Sequence, residues 1–121
     1  MTTFVDTSAI YAILDADDEF HDRARRSWAE LLSNGATLLT TSYVLVETFA
    51  LVQARLGMDA VRGLSDHLLP AIRTIEVTLD DHDGAVQALL AASRRDLSLV
   101  DCTSFLVMRR LGVRSAFTFD A

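Results

Sequence analysis

The sequence predicts a three-layer α/β/α domain, in which helices cover both faces of a central parallel sheet of about four to five strands. Short apolar runs alternate with longer segments whose apolar residues recur at helical spacing, and the connections between them are short. Strands that are separated by helices usually pair in parallel, with the helices packed on the two faces of the sheet. The 121 residues contain no repeat and no linker-like stretch, so we expect a single domain over residues 1–121.

The first half of the chain predicts two strands and three helices. The strands are short runs rich in apolar and β-branched residues. Asn34-Gly35 ends one helical segment, and Gly57 stops the helix that Ser42 is expected to cap. The predicted elements are a strand at Thr2–Val5, helices at Ser8–Leu14 and Phe20–Leu32, a strand at Thr37–Thr41 and a helix at Ser42–Leu56.

The second half predicts three more helices and two more strands. Pro70 ends the first of these helices, and Gly112 ends the last. The last helical segment is apolar on nearly all sides, so we expect it to lie sandwiched in the core. The predicted elements are a helix at Asp59–Leu69, a strand at Ile72–Val77, helices at Leu79–Ser93 and Val100–Leu111, and a strand at Arg114–Phe119.

Four acidic residues are candidates for a functional site. Asp6 and Asp120 each close an apolar strand, and Asp101 opens a helical segment. The carboxyl ends of parallel strands and the starts of the following helices meet at one edge of a sheet, where ligands bind. Glu47 lies in an apolar helical pattern with no basic residue within one turn, and a carboxylate in apolar surroundings is costly unless a cation compensates it. The pattern therefore indicates a site for a hard divalent cation.

Each of the four acids also suits a purely structural role. Asp6 and Asp101 fit the N-cap position of the helices that follow them, and Asp96 competes for the second of these roles. Glu47 fits an exposed helix edge, and Asp120 fits a solvated tail.

Composition argues against several classes of protein. The net charge of −6 disfavours a generic polyanion binder, although all 11 basic residues are arginines, whose planar group pairs well with phosphate. A phospho-receiver or phosphoaspartate phosphatase would need a lysine at the phosphate, and the chain has none. A nucleotide-binding module would have a glycine-rich turn after the first strand, whereas no glycine precedes Gly35.

Hydropathy and cysteine content indicate the cellular compartment of the protein. No apolar run is long enough to span a membrane, and the N-terminus lacks a signal-peptide pattern. The single cysteine, Cys102, fits a reducing compartment, so we expect a cytoplasmic protein. The mean hydropathy of +0.26 predicts apolar surface that a protein partner covers. A second copy of the chain, in a homodimer, is one such partner.

Four segments place the acids in a recognisable order. They are Phe4–Ala12 (FVDTSAIYA), Thr41-Ser42 followed by Val46-Glu47, Asp96–Phe105 (DLSLVDCTSF) and Ala116–Asp120 (AFTFD). In this combination the chain resembles a PIN domain, and more narrowly the VapC toxins of bacterial toxin-antitoxin pairs. The resemblance implies a PIN-like fold, a Mg²⁺- or Mn²⁺-dependent endoribonuclease and inhibition by a cognate antitoxin protein. It also implies that Asp6, Glu47, Asp101 and Asp120 are the catalytic and metal-binding residues, with Ser8 and Ser104 as polar support.

On this interpretation the substrate is single-stranded RNA, which a metal-activated water cleaves. Asp6 and Asp101 are the expected direct ligands, whereas Glu47 and Asp120 ligate directly or through water. A bound cation also turns an acidic pocket that repels RNA into one that attracts phosphate. The alternative is a non-catalytic PIN-like interaction domain, whose acidic pocket binds a structural cation or a basic peptide.

Other polar and aromatic residues have simpler explanations. The acids of Asp80–Asp83 complement the dipole at a helix start. His21 and His67 have no partner at ligand spacing, and Trp28 and Phe20 are spaced as core residues rather than as a base-stacking platform. The candidate RNA contacts are the arginine pairs Arg25-Arg26, Arg94-Arg95 and Arg109-Arg110.

Overall fold

The computed structural model describes residues 1–120, and these form a four-stranded sheet in which every pair of neighbouring strands is parallel. The order of the strands across the sheet is β3-β2-β1-β4, so the first three are added in one direction and the fourth lies on the other side of β1. The predicted parallel sheet is confirmed. The strands are β1 (Thr2–Val5), β2 (Thr37–Thr41), β3 (Arg73–Ile75) and β4 (Ser115–Phe117).

The α-helices agree with the predicted segments to within one or two residues, except after Gly57. The predicted helix over 59–69 is wrong beyond Gly63, because the chain continues as a π-helical turn over Leu64–Leu68 and a 3₁₀ turn over Leu69–Ala71. Leu64 and Leu68 are buried in this segment, and Pro70, which has no N–H to donate to a preceding turn, lies at the start of the 3₁₀ turn. The α-helices are α1 (Thr7–Leu14), α2 (His21–Ser33), α3 (Ser42–Leu56), α4 (Met58–Gly63), α5 (Leu79–Ala92) and α6 (Leu99–Leu111).

Helices cover both faces of the sheet because successive strand residues point to opposite sides. In β1, Val5 packs in a large core with residues of α1, α2 and the 58–72 region, whereas Phe4 packs in a smaller core towards α6. In β2, Leu38 and Leu39 divide between the two cores in the same way. The three-layer arrangement is therefore confirmed. None of the helices in residues 1–120 combines the length and the apolar character that a membrane span requires.

The two edge strands are shorter than predicted. The pairing of β3 ends with Thr41 against Ile75, where β2 itself stops, and β4 ends where Phe117 lies opposite the last residue of β1, Val5. Just beyond these positions, residues 76–77 and 118–120 make no backbone–backbone hydrogen bond. The ends are fixed instead by side chains, as when Ser42 Oγ accepts a hydrogen bond of 3.0 Å from the N–H of Val77.

Helix caps differ from the prediction at α3. Thr41, rather than Ser42, is the N-cap, and its hydroxyl accepts from the N–H of Val44 at 3.2 Å. At α5 the acidic start is a capping box, in which Thr78 accepts from the N–H of Asp81 at 3.1 Å and the Asp81 carboxylate accepts from the N–H of Thr78. Asp81 is buried and also pairs with Arg110 of α6 at 3.0 Å. The structural interpretation of the Asp80–Asp83 segment is therefore confirmed for Asp81.

The prediction that Val100–Leu111 lies sandwiched in the core is wrong. Cys102, Thr103, Ser104 and Val107 of α6 are buried, but Phe105 is 61% exposed. Helix α6 belongs to an outer layer and contacts α5 and α3, so only part of its circumference faces protein. Phe105 and Leu111 of α6 lie on open surface, which an apolar pattern by itself does not distinguish from core.

Candidate active site

Three of the four candidate carboxylates lie at the carboxyl edge of the sheet. Asp6 directly follows β1, Asp120 lies just beyond β4, and Asp101 is in the first turn of α6. The strand order reverses between β1 and β4, and such a reversal is where an α/β sheet opens a binding crevice. The edge expected from the sequence therefore brings these three aspartates to one place.

A cavity of about 640 Å³ opens at this edge, and all three aspartates line it. Cavities of roughly 300–1,000 Å³ are typical of small-molecule sites in proteins. Polar and apolar residues share the walls, whereas Glu47 is not among them. The lining consists of Asp6, Asp96, Asp101, Asp120, Arg94, Ser104, Thr118, Phe4, Leu97, Phe105, Met108 and Ala116.

Asp6 occupies the N-cap position of α1 but does not cap the helix through its side chain. Its backbone is extended, as at an N-cap, yet the carboxylate accepts no capping hydrogen bond from a backbone N–H of the first turn. Oδ2 instead accepts from the Thr118 hydroxyl at 3.0 Å and the Ser8 hydroxyl at 3.3 Å. The structural alternative for Asp6 therefore does not explain the orientation of its carboxylate.

The segment that carries Asp120 is held to the start of α1 by a set of hydrogen bonds. Ser8 Oγ accepts from the N–H of Phe119 at 2.9 Å and lies 3.1 Å from the Thr118 hydroxyl. Thr118 Oγ1 also accepts from the N–H of Asp120 at 3.1 Å. The Phe119 ring stacks on Phe20, with ring centroids 4.7 Å apart and planes 6° from parallel. Asp120 is exposed, but its backbone is fixed rather than free in a solvated tail.

Asp101 is part of a capping box at the start of α6, where the N-cap is Ser98. The Ser98 hydroxyl accepts from the N–H of Asp101 at 3.0 Å, and Asp101 Oδ2 accepts from the N–H of Ser98 at 3.1 Å. Because Ser98 is the N-cap, neither Asp101 nor Asp96 has this role. The Asp96 carboxylate pairs with Arg94 instead. The capping bond uses Oδ2 of Asp101, so the carboxylate serves both the helix start and the cavity wall.

Glu47 lies on α3 with an exposed side chain, so the expected apolar surroundings are absent. Partial desolvation nevertheless raises the pKa of Glu47, and the nearby Thr7 hydroxyl lowers it in part. The negative charges of the three aspartates raise this pKa further. Glu47 is therefore close enough to the three aspartates for their charge to affect its pKa, although it does not line the cavity.

Asp120 shows the same electrostatic strain. Desolvation raises the pKa of Asp120, and the nearby negative charges of Asp6 and Asp101 raise it further. No arginine relieves this repulsion: the ion pairs found in residues 1–120 join Arg62 to Asp59, Arg94 to Asp96 and Arg110 to Asp81. The four acids therefore form a locally negative site without a basic partner.

The donor set suits a hard cation such as Mg²⁺, because every candidate ligand is a carboxylate oxygen. Across residues 1–120, no three His, Cys, Asp or Glu side chains are arranged so that they could hold a metal ion. Mg²⁺ does not need such a cage, since it usually keeps several waters and takes one or two carboxylates together with substrate phosphates. The residues fit a partly hydrated ion at the cavity wall.

The polar residues around the acids differ in what they do. Ser8 contacts Asp6, as described above, whereas the buried Ser104 donates to the backbone oxygen of Val100 at 3.0 Å and reaches the cavity only as part of its lining. Thr118 was not singled out from the sequence, although it contacts Asp6 and binds the backbone of Asp120. Its position two residues before the last acid, at the end of a strand, is a signal that could have found it.

The histidines lie outside this site. His21 Nδ1 lies 2.8 Å from the backbone oxygen of Ala12, and His82 Nδ1 lies 2.7 Å from the Tyr43 hydroxyl. His67 is exposed, as expected for a surface histidine. Phe20 and Trp28 pack against the large core, which confirms their predicted place.

Comparison with known proteins agrees with the geometry. Residues 3–121 match the model of the PIN domain family. The chain is 38% identical over 118 residues to the 23S rRNA-specific endonuclease VapC20 of Mycobacterium tuberculosis, strains H37Rv and CDC 1551, with 97% of this chain and 88% of that protein covered.

Solved structures show the same fold. The crystal structure of Mycobacterium tuberculosis VapC20, described as a Sarcin-Ricin loop cleaving toxin, superposes with a TM-score of 0.85 at 36% identity and covers 99% of this chain and 90% of that one. VapBC2 from Rickettsia felis, bound to a DNA fragment from their promoter, gives a TM-score of 0.64 at 14% identity, with 99% and 100% covered, which shows the fold alone. Because the family model, the sequence and the fold all match, the chain belongs to the PIN domain family.

Proposed function

We propose that the protein is a metal-dependent endoribonuclease that acts as the VapC-type toxin of a toxin-antitoxin pair. The observation that carries the proposal is the cavity where Asp6, Asp101 and Asp120 meet without a basic partner. Its support from outside the structure is the 38% identity to a 23S rRNA-specific endonuclease over nearly the whole chain.

The chain's own residues supply binding and orientation. Asp6 and Asp101 are the proposed direct ligands of Mg²⁺, or of Mn²⁺ in its place, and Glu47 and Asp120 ligate directly or through water. A divalent ion bound there lowers the pKa of a bound water and neutralises charge on the phosphate. Ser8 and Thr118 hold the Asp6 carboxylate through hydrogen bonds of 3.3 and 3.0 Å, so the ligand oxygen is oriented before substrate arrives.

The proposed substrate is a single-stranded region of RNA, and the first RNA to test is the 23S rRNA that the mycobacterial relative is named for. The net charge of −6 makes the ion essential for binding as well as for chemistry. Without a cation the cluster repels phosphate, and with one it attracts phosphate.

Purified protein is expected to cleave RNA only when Mg²⁺ or Mn²⁺ is present. The measurement is product formation from 23S rRNA, from its isolated sarcin-ricin loop and from unrelated single-stranded RNAs, with each metal and with excess EDTA. Adding metal back after EDTA should restore cleavage, which separates loss of the cofactor from loss of the fold. Cleavage that persists in EDTA would overturn the metal-dependent mechanism. No cleavage of any RNA, by a folded and metal-bound protein, would favour the non-catalytic interaction domain.

We also propose a small antitoxin protein as the partner, which places an arginine among the four acids. Arginine can bind carboxylates through two hydrogen bonds, and the cluster has no such partner within residues 1–120. Exposed apolar side chains such as Val46 and Leu79 remain for protein contacts, including those of the proposed homodimer.

Co-expression with the product of the adjacent small open reading frame should therefore yield a stable complex without nuclease activity. Light scattering of that complex, and of the toxin alone, gives the number of toxin copies in each. Replacing the arginines of the antitoxin one at a time should identify one whose loss restores cleavage while binding persists. If no neighbouring product binds or inhibits, the toxin assignment fails, whereas the nuclease assignment is judged by the metal assay.

A further inference from the structure

The wall of the cavity at the sheet edge contains apolar side chains as well as the carboxylates of Asp6, Asp101 and Asp120. We call the apolar residues together the apolar part of the wall; they are Phe4, Leu97, Phe105, Met108 and Ala116. In the proposed function the scissile phosphate lies at the carboxylates. The apolar part of the wall is then available to the groups covalently attached to that phosphate.

Phe105 is the most exposed aromatic side chain in this apolar part. It is 61% exposed although it lies on α6, whose other face is buried. Asp101 and Phe105 are four residues apart on the same helix, and residues at this spacing lie one above the other on one face. Both line the cavity, so the phenyl ring stands one helical turn from a proposed metal ligand.

A solvent-exposed phenyl ring at this place lacks a structural explanation. Phe105 belongs to neither of the two hydrophobic cores. Met108, which also lines the cavity, packs against the smaller core. Leu97 and Phe105 also border a second, more apolar depression of about 460 Å³ between α5 and α6. The ring therefore contributes area to the cavity wall without contributing to the core.

An RNA strand has a flat group close to each phosphate, namely the nucleobase. Each phosphate in a strand is joined through one sugar to a base, so a phosphate held at the carboxylates brings its neighbouring bases to the walls of the same cavity. In a single strand these bases have free faces, and proteins bind such faces by stacking them on aromatic side chains. Arg94, also in the wall, is already paired with Asp96, so the ring is the more available contact for a base.

We propose that Phe105 stacks on a nucleobase that flanks the scissile phosphate, and that it is a substrate-binding residue of the nuclease. The inference rests on the proposed function, because it takes the phosphate position from the carboxylate site. Stacking on a phenyl face tolerates any base. Phe105 therefore sets the requirement for an unpaired base at this position and leaves the choice of base to other contacts.

The test compares variants that separate the aromatic face from apolar area. Phe105→Tyr keeps a stacking face, Phe105→Leu keeps most of the apolar area, and Phe105→Ala removes both. The matched control is Leu90→Ala, since Leu90 is 72% exposed on α5 and outside the cavity lining. Thermal unfolding of all four should stay close to wild type, because none of the altered side chains is buried.

Steady-state cleavage without antitoxin gives kcat and KM separately. Loss of one base stack should lower kcat/KM roughly 5- to 150-fold in Phe105→Ala. Phe105→Leu should lose nearly as much, whereas Phe105→Tyr and Leu90→Ala should stay within about twofold of wild type. A Phe105→Leu protein with the kcat/KM of wild type, or a Phe105→Ala protein within twofold of it, would overturn the proposal. Cleavage by the wild-type protein in the same assay would show that the nuclease function does not fail with it.

An abasic substrate then identifies the base. Once the cleavage site is mapped, an abasic site on either side of the scissile phosphate removes the proposed stacking partner. Wild type should lose activity on one of these RNAs about as much as Phe105→Ala loses on intact RNA, and the two changes together should cost little more than either one. Fully additive losses would show that Phe105 does not contact the flanking base. A variant that cleaves normally but no longer binds antitoxin would assign the ring to a protein interface instead.

Discussion

Replacing Asp6 or Asp101 with asparagine is expected to abolish RNA cleavage without unfolding the protein. Each substitution removes a negative charge from the proposed metal site and nearly preserves side-chain shape. Groups that only support a metal ligand typically contribute 10- to 100-fold in metal affinity or activity, so loss of a direct ligand should exceed about 100-fold. The measurement is the initial rate of cleavage at saturating Mg²⁺ and again at high Mn²⁺.

The hydrogen bonds around these residues explain why the fold should persist. An asparagine oxygen can still accept from Thr118 at position 6, and from the N–H of Ser98 at position 101. Asp83→Asn is the matched control, because Asp83 is an exposed acid on α5 that does not line the cavity. Undiminished cleavage by a folded Asp6→Asn or Asp101→Asn protein would remove that residue from the mechanism.

Glu47→Gln is expected to stabilise the metal-free protein and to weaken its response to metal. The carboxylate carries unfavourable charge next to three aspartates, and glutamine removes it. A ligand that binds only the folded state at a hundredfold excess over its Kd adds about 2.7 kcal/mol of stability. The wild type should therefore melt several degrees higher in millimolar Mn²⁺, and Glu47→Gln should start higher in EDTA and gain less.

The pH dependence of this stability difference follows from the charge of the Glu47 carboxylate. The pKa of Glu47 is raised in the folded state, so between the unfolded and the folded pKa the native protein binds more protons than the unfolded chain. Stability from this group is thus present at acidic pH and lost as the pH rises through the folded pKa. The advantage of Glu47→Gln in EDTA should shrink as the pH falls and disappear below the unfolded pKa.

Glu30→Gln on the exposed surface of α2 is the control for the loss of a glutamate as such. Differential scanning fluorimetry over pH 4–8, with EDTA and with Mn²⁺, measures both effects. A Glu47→Gln protein that is less stable in EDTA and responds fully to metal would place Glu47 outside the site.

The arrangement of the sheet and the place of the acids could be predicted because both follow from local patterns. Short apolar runs separated by helices specify parallel pairing, and acids just after strands must lie at one edge of the sheet. Asp6 and Asp120 were found in this way. The apolar neighbours of Glu47 in the sequence predict apolar surroundings, and this prediction is wrong, because the side chain is exposed and interacts with the three aspartates through their charge.

Other features depend on tertiary contacts that a single sequence does not display. The apolar pattern of α6 does not reveal which side is left open, so the exposure of Phe105 could not be predicted. Thr118 acquires its contacts from residues about 110 positions away, and no local motif encodes such a pairing. The shorter edge strands have the same origin, because their ends are set by where β1 and β2 stop.

The hydrogen bonds between Ser8, Thr118 and Asp6 join the earliest part of the chain to the latest part that the structure describes. A domain generally folds as a unit, and the ribosome synthesises it from the N-terminal end. Asp6 therefore leaves the ribosome long before Thr118 and Asp120, and β1 lacks its neighbour on one side until β4 has been made. A nascent chain accordingly carries an incomplete nuclease. For a protein proposed to cut RNA, the order of synthesis delays activity until the last strand has docked.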